Sequence, residues 1–227
     1  NIEQDDKVKA FINTQDLKDA EYVNSHYVVM ATKKGQIKKT SLEKYSRPRI
    51  NGINAITIKE KDELLEAKLT NGNSEILMAV KSGKAIRFEE SKTRPMGRSA
   101  SGVRGIRLKD DKDEVIGMVS VNDVSTDMLV VSKNGYGKRS SLEDYRITNR
   151  GGKGVKTISI TEKTGSLVAI KNVSDENDLM IINKSGIAIR MSVEKLRVMG
   201  RATQGVKLIN LKGCLLYTSP SPRDWTI

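Results

Sequence analysis

One short pattern recurs four times along the chain: a Lys-x-Gly turn centred on Gly35, Gly83, Gly135 and Gly186, at spacings of 48, 52 and 51 residues. A second glycine keeps the same beat, with Gly52, Gly102, Gly154 and Gly205 following the first set by 17, 19, 19 and 19 residues. Two markers in one register identify a repeat protein. A period of about 50 residues falls in the range of propeller blades and exceeds that of ankyrin or tetratricopeptide units.

What fills the period is strand-like. Each unit opens with a short apolar run, Tyr27 to Met30, Ile76 to Val80, Met128 to Val131 or Leu179 to Ile182. Such runs, rich in β-branched residues and bounded by glycine turns, read as buried strands. A second short strand leads to Lys39, Arg87, Arg139 or Arg190, four residues past the glycine, so the two form a hairpin. A third strand is expected at Ile53 to Ile58, Val103 to Leu108, Val155 to Ile160 and Val206 to Leu211. A fourth is expected at Leu64 to Ala67, Val115 to Met118 and Leu167 to Ile170. Four strands per unit make a propeller-like, all-β blade.

On this reading, residues 1–21 are the tail of a preceding blade, 22–73, 74–125 and 126–176 are blades, and 177–213 is an incomplete blade. Residues 214–227 share nothing with the repeat, yet hold Cys214, the only Cys, Trp225, the only Trp, and two of the four Pro. They read as a non-native cloning scar or adaptor read-through, the alternative being a disordered native tail.

One Cys outside the repeat excludes a disulfide framework, and one His, His26, removes most metal and catalytic arrangements. His26 has no counterpart in the other units and reads as a solvated loop residue, and no catalytic residue or cofactor site is expected. The carboxylate pairs Asp110-Asp111 and Glu89-Glu90 read as solvated charges. No stretch of eighteen apolar residues and no secretory signal appear, so a soluble, cytoplasmic protein is expected.

The net charge of +12 and a pI near 9.7 favour polyanionic partners, nucleic acid first. The charge follows the architecture. Counting back from the second glycine, Arg recurs at minus eight and minus four: Arg94 and Arg98, Arg146 and Arg150, Arg197 and Arg201. Arg104, Lys156 and Lys207 stand two residues past that glycine. The first unit has Asn54 there, with Arg47 and Arg49 in a shortened loop. Equivalent positions in a propeller-like array lie on equivalent edges, so these cations form a curved row. Gly151, Gly152 and Gly154, around Lys153, are expected to let backbone N–H groups approach a phosphate. Aromatic residues make up only 4% of the chain, too few for stacking single strands, and no amphipathic helix is offered to a major groove. Phosphate contact with a duplex remains.

Several strings resemble a known family: Met30-Ala31-Thr32 through Lys38-Lys39-Thr40, Arg87-Phe88 through Ser99, Gly102-Val103-Arg104-Gly105-Ile106-Arg107-Leu108, Asn134-Gly135-Tyr136-Gly137-Lys138-Arg139, and Gly200-Arg201-Ala202-Thr203-Gln204-Gly205-Val206. Over about residues 1–213 the chain is similar to the C-terminal β-pinwheel domain of DNA gyrase A, part of a bacterial ATP-dependent type II topoisomerase. The resemblance implies a six-bladed β-pinwheel of which these are the later four blades. Its basic outer rim would wrap double-stranded DNA for the gyrase A cleavage core and gyrase B, with ATP and Mg acting elsewhere in the enzyme. The family's hallmark box, Gln-Arg-Arg-Gly-Gly-x-Gly, has its nearest match here at Thr148-Asn149-Arg150-Gly151-Gly152-Lys153-Gly154, in a later blade and with Thr and Asn replacing Gln and Arg. Tyr45 and Tyr145 occupy matching places and read as structural. The corresponding pinwheel of topoisomerase IV and a propeller that scaffolds protein partners remain as alternatives.

Overall fold

A computed structural model describes residues 7–47, 49–183 and 186–209. The tail 214–227, residues 1–6 of the leading segment and the expected Leu211 end of the last strand lie outside them. Among the described residues, no helix is long and apolar enough to cross a membrane.

The first unit holds β1 (Tyr27–Thr32), β2 (Gln36–Ser41) and β3 (Leu64–Thr70). The second holds β4 (Glu75–Val80), β5 (Lys84–Glu89), β6 (Val103–Arg104) and β7 (Val115–Val121). The third holds β8 (Asp127–Ser132), β9 (Tyr136–Ser141), β10 (Val155–Lys156) and β11 (Leu167–Val173). The fourth holds β12 (Asp178–Ile182), β13 (Ala188–Ser192) and β14 (Val206–Lys207). The hairpins form as the spacing predicts. Each turn glycine donates its N–H to the carbonyl three residues earlier, as from Gly83 to Val80 at 2.9 Å, and holds a left-handed φ near +80° that other residues rarely adopt. Among the described residues the helical content is slight: three single-turn 3-10 segments and one helix, α1 (Ala20–Ser25), whose first N–H groups are capped by the Asp19 carboxylate. Residues 7–18 lead into α1 without forming a strand.

The sheets and the repeats do not coincide. The strand orders are β3-β1-β2-β6, β10-β5-β4-β7 and β11-β8-β9-β14, with β12 and β13 as a two-stranded sheet. The third strand of each unit therefore joins the sheet of the preceding unit. Val103 and Arg104 pair with Ile37 and Gln36, Val155 and Lys156 with Ala85 and Lys84, and Val206 and Lys207 with Gly137 and Tyr136.

Both glycine beats permit this exchange. A Cβ on Gly102, Gly154 or Gly205 would lie 2.6, 2.5 and 2.5 Å from the carbonyl oxygens of Ile37, Ala85 and Gly137. A Cβ on Gly35 or Gly135 would lie 2.8 and 2.6 Å from the carbonyls of Ile106 and Ile209, and one on Gly83 would meet the Ile160 side chain at 2.6 Å. The carbonyls of Gly35, Gly83 and Gly135 accept N–H groups from the incoming segment, from Gly105 and Ile106, Thr157 and Ile158, and Leu208 and Ile209 in turn.

The exchange also explains where the third strand fails. Residues 53–58 carry the strand pattern and form none, because no sheet precedes β1 among the described residues to receive them. They lie against the next unit's loop instead, with Thr57 Oγ1 donating to the Ser99 carbonyl at 2.7 Å.

The core lies between successive sheets. Leu77, Ala79 and Ala85 of the second sheet meet Met128, Val130, Leu142, Tyr145 and Ile158, all buried. Val29, Ala31 and Ile37 meet Ile76, Met78, Ile86 and Phe88 in the same way. Tyr145 is structural, as its repeat position implies. It is fully buried, its hydroxyl 2.5 Å from Thr157 Oγ1, and burial pushes its phenol up to about 12. Tyr45 reaches the Ala55 carbonyl at 3.2 Å in the same sense. His26 is half-buried rather than solvated, with Nδ1 2.9 Å from the Tyr22 carbonyl.

Gly154→Ala should lower stability in urea unfolding by about 2 kcal/mol or more, since it adds a backbone clash to left-handed strain. Gly52→Ala, whose Cβ meets nothing within 4 Å at φ +74°, should lose only the strain, on the order of 1 kcal/mol. Equal losses would show that the carbonyl approach is not the limiting contact.

Candidate nucleic-acid interface

After each hairpin the chain crosses to the sheet of the preceding unit. Pro95, Ile147 and Val198 make single parallel bridges to Lys39, Arg87 and Arg139. The next residues, Met96, Thr148 and Met199, donate their N–H groups to the carbonyls of those cations at 2.8, 2.9 and 2.8 Å. The chain then arches away and rejoins the same strand edge at β6, β10 and β14. At the opposite edges of their sheets, β7 packs against β3 and β11. The arches therefore sit on the outer edge of each sheet; the minus-four arginines sit on them, and the minus-eight arginines stand one residue before the bridges from which they start.

The two arginine sets have different surroundings. Arg94, Arg146 and Arg197, at minus eight, are exposed and make no hydrogen bond or ion pair with another described residue; the same holds for the side chains of Arg47, Arg49, Arg104 and Lys153. The set at minus four is half-buried. Arg150 donates to the carbonyls of Lys92 at 2.9 Å and Arg104 at 3.1 Å. Arg201 repeats this one unit later, donating to Asp144 at 2.9 Å and Lys156 at 2.7 Å. Charged donors on backbone carbonyls are each worth about 1.5–3 kcal/mol when buried and less at a half-exposed site. The minus-four register thus has an internal cause, the stapling of one unit to the last. The minus-eight register has none within the fold.

The Gly-Gly-Lys-Gly segment serves packing. The Gly151 N–H donates to the Gly105 carbonyl at 2.6 Å and the Gly152 carbonyl accepts from Arg107 at 2.8 Å, while Gly154 lies against the Ala85 carbonyl. The expectation that the Gly151 N–H is open to a phosphate is corrected: a neighbouring unit uses it. Lys153 instead joins Lys84, Arg107 and Lys109 around a cleft of about 200 Å³. Repeat spacing does not single out these last three cations. The signal lies in the strand exchange, which pairs Lys84 with Lys156 across the edge. Asp113, buried beneath them, accepts from the Ser82 N–H at 3.0 Å and Ser82 Oγ at 2.7 Å.

Five cations are buried among the described residues, Lys38, Lys39, Arg87, Lys138 and Arg139, so the net charge overstates what faces outward. Lys39 meets Glu90 at 2.8 Å, and Glu90 also accepts from Thr70 Oγ1 at 2.8 Å. Glu90 is therefore a buried clamp and not the solvated charge expected of the Glu89-Glu90 pair. Arg87 pairs with Glu75 at 2.5 Å while its Nη1 donates to the carbonyls of Leu142 and Tyr145 in the next unit. Arg139 pairs with Asp127 and Asp175 and reaches the Val193 carbonyl. Lys38 Nζ donates to the carbonyls of Ala55 and Arg98, and Lys138 Nζ to the Gly200 carbonyl, so both tie down the arches. Burial, with Arg98 beside Lys38, brings Lys38 down to about 8; burial brings Lys138 to about 8 as well.

Two measurements separate structural from outward cations. Arg201→Met should lower stability by about 1 kcal/mol, whereas Arg146→Gln should change it by less than about 0.5 kcal/mol; the reverse order would reject the assignment. The folded chain releases the Lys38 and Lys138 protons near pH 8, while a free lysine holds its proton to 10.5. Between these values the unfolded state binds more protons, so stability rises with pH. The melting temperature should be higher at about pH 9.5 than at about pH 7.5, and Lys38→Met with Lys138→Met should flatten that rise.

A family model described as the DNA gyrase C-terminal domain, beta-propeller, matches residues 26–71, 74–122, 126–174 and 177–214. The DNA gyrase A protein of Staphylococcus epidermidis is 44% identical over 211 residues, covering 92% of this chain, and that of Staphylococcus aureus is equally similar. The chain spans 23% of the length of these relatives. The structure of a DNA gyrase A C-terminal domain superposes with a TM-score of 0.74 at 25% identity, covering 83% of this chain and 62% of that one. The C-terminal domain of a DNA topoisomerase IV gives 0.78 at 21% identity, covering 83% and 58%, a likeness of fold. Four matched repeats and the exchanged-strand architecture agree: this chain belongs to the DNA gyrase C-terminal domain family of β-propellers.

Proposed function

We propose that the chain binds double-stranded DNA along its outer edge and bends it, as the wrapping module of a type II topoisomerase of the gyrase kind. The observation that carries this reading is the row of Arg94, Arg146 and Arg197. These three are exposed, in register on equivalent outer edges, and without a partner among the described residues. A repeat that needs cations only for solubility has no reason to hold them at one position per unit. Arg47, Arg49, Arg104 and Lys153 extend the row, and Arg98, Arg150 and Arg201 add to its potential while their side chains or carbonyls brace the arches. Gly151, Gly152 and Gly154 shape the third arch, where the Gly151 N–H is taken by the Gly105 carbonyl.

Bending a duplex of 20–30 base pairs costs about 1–6 kcal/mol, which several charge-assisted phosphate contacts offset. The chain brings no cofactor and no catalytic group to this task. In the longer protein its partners are the cleavage core of the same polypeptide and the separate ATP-hydrolysing polypeptide, in the bacterial cytoplasm. With few aromatic residues and no groove-reading helix among the described residues, binding is largely indifferent to sequence.

Affinity for a short duplex should fall with salt on a log–log plot, with a slope of about 0.9 for each phosphate neutralised. Replacing Arg94, Arg146 and Arg197 together by Gln should reduce that slope by about 2.7 without altering the melting temperature. A flat salt dependence, or an unchanged slope in the triple variant, would remove the reading. Ligating a nicked circle around the chain then reports geometry. A shifted linking number supports chiral wrapping, and an unshifted one leaves binding without it.

A further inference from the structure

Where each arch starts, the exposed arginine at minus eight is followed at once by an aliphatic residue: Arg94-Pro95, Arg146-Ile147 and Arg197-Val198. Pro95 is exposed, and Ile147 and Val198 keep 48% and 52% of their surface open to solvent. The shortened loop of the first unit carries the same kind of dipeptide, Arg49-Ile50, with Ile50 fully exposed. One exposed aliphatic side chain is ordinary on a protein surface. Here it recurs beside an arginine that has no partner among the described residues, and neither Ile147 nor Val198 joins the cores between the sheets.

The backbone under each of the three registered pairs is held on both sides. Just before the arginine stand Thr93 and Tyr145, both buried, and Leu196, which packs against Leu129, Val173 and Val193. The aliphatic residue itself bridges to the strand edge, and the N–H of the residue after it is bonded there as well. Proline, isoleucine and valine also have few conformations to lose. The pair is a stiff, prepositioned projection on the outer edge.

We infer that Pro95, Ile147 and Val198 are wedges that kink the duplex, an inference that deepens the DNA-binding reading and rests on it. The arginine holds a phosphate at the lip of the minor groove, and the aliphatic neighbour enters that groove and partly unstacks one base step in each unit. An aliphatic group gains nothing beside phosphate oxygens but gains by leaving water against sugars and base edges. Wedges of this chemistry bend DNA toward its major groove. The two residues thus divide the work: the cation supplies salt-dependent attraction and the wedge supplies a bend that salt does not set. Pyrimidine–purine steps, TA and CA, unstack most readily and are where the wedges settle.

The test uses a duplex of about 30 base pairs with a dye at each end and 2-aminopurine, which brightens on unstacking, in TA steps. Binding of the wild-type chain should raise the 2-aminopurine fluorescence and bring the two dyes closer by energy transfer. Ile147→Thr with Val198→Thr keeps the β-branched shape on an exposed site and removes the aliphatic tip. This double variant should lose most of both signals while keeping the wild-type melting temperature and the wild-type slope of affinity against salt. Salt-dependent binding by the wild-type chain without brightening, full signals in the double variant, or a slope lowered as in the arginine variants would overturn the wedge and leave the DNA-binding reading standing. Binding without any salt dependence would remove both.

Discussion

Everything in this fold depends on a two-residue backbone pairing that each unit makes with the sheet of the unit before it. The pairing is short, and it is possible only because two glycines allow the segments to meet carbonyl to α-carbon at distances no side chain permits. Once it is made, the segment after the hairpin must cross outward, arch, and return along one strand edge. The arches and the cations on them follow from that path. Stability is accordingly shared between neighbours, as in other repeat proteins, because no unit completes its own sheet.

Charge is divided between two tasks that look alike in composition. Lys39, Arg87 and Arg139 stand at one repeat position and are buried, each paired with an acid; Arg87 and Arg139 also reach the carbonyls of the next unit. Lys38 and Lys138 carry charge into the interior to hold the arches, at a desolvation penalty that brings them to about 8. Only the cations without such duties are available to a polyanion. Bringing the arginine loops to the outer edge leaves the minus-eight set solvated and the half-buried minus-four set partly engaged.

Much of the architecture is legible in the glycine beat. The hairpins at β1–β2, β4–β5, β8–β9 and β12–β13 follow from apolar runs bounded by Lys-x-Gly, because a turn and a buried strand are local features. Tyr145 as a core residue is legible for the same reason, from its place in the repeat. Glu90 misleads because a carboxylate at a strand end looks solvated until the Lys39 of the previous unit arrives beside it. Gly151 misleads because its N–H meets a carbonyl, that of Gly105, 46 residues away. Ile53 to Ile58 carries a strand pattern with no sheet to enter, and pattern does not report the partner.

The sequence by itself determined that this is a four-fold repeat of short strands with cations in register, since period, turn chemistry and apolar runs are properties of contiguous residues. Tertiary structure alone decided which unit completes which sheet, and therefore which of two equally spaced arginines in the third and fourth loops staples the fold and which faces solvent. The physical reason is that a strand edge and a carbonyl are satisfied by whatever backbone or guanidinium reaches them in space. Here that partner lies roughly one repeat away along the chain.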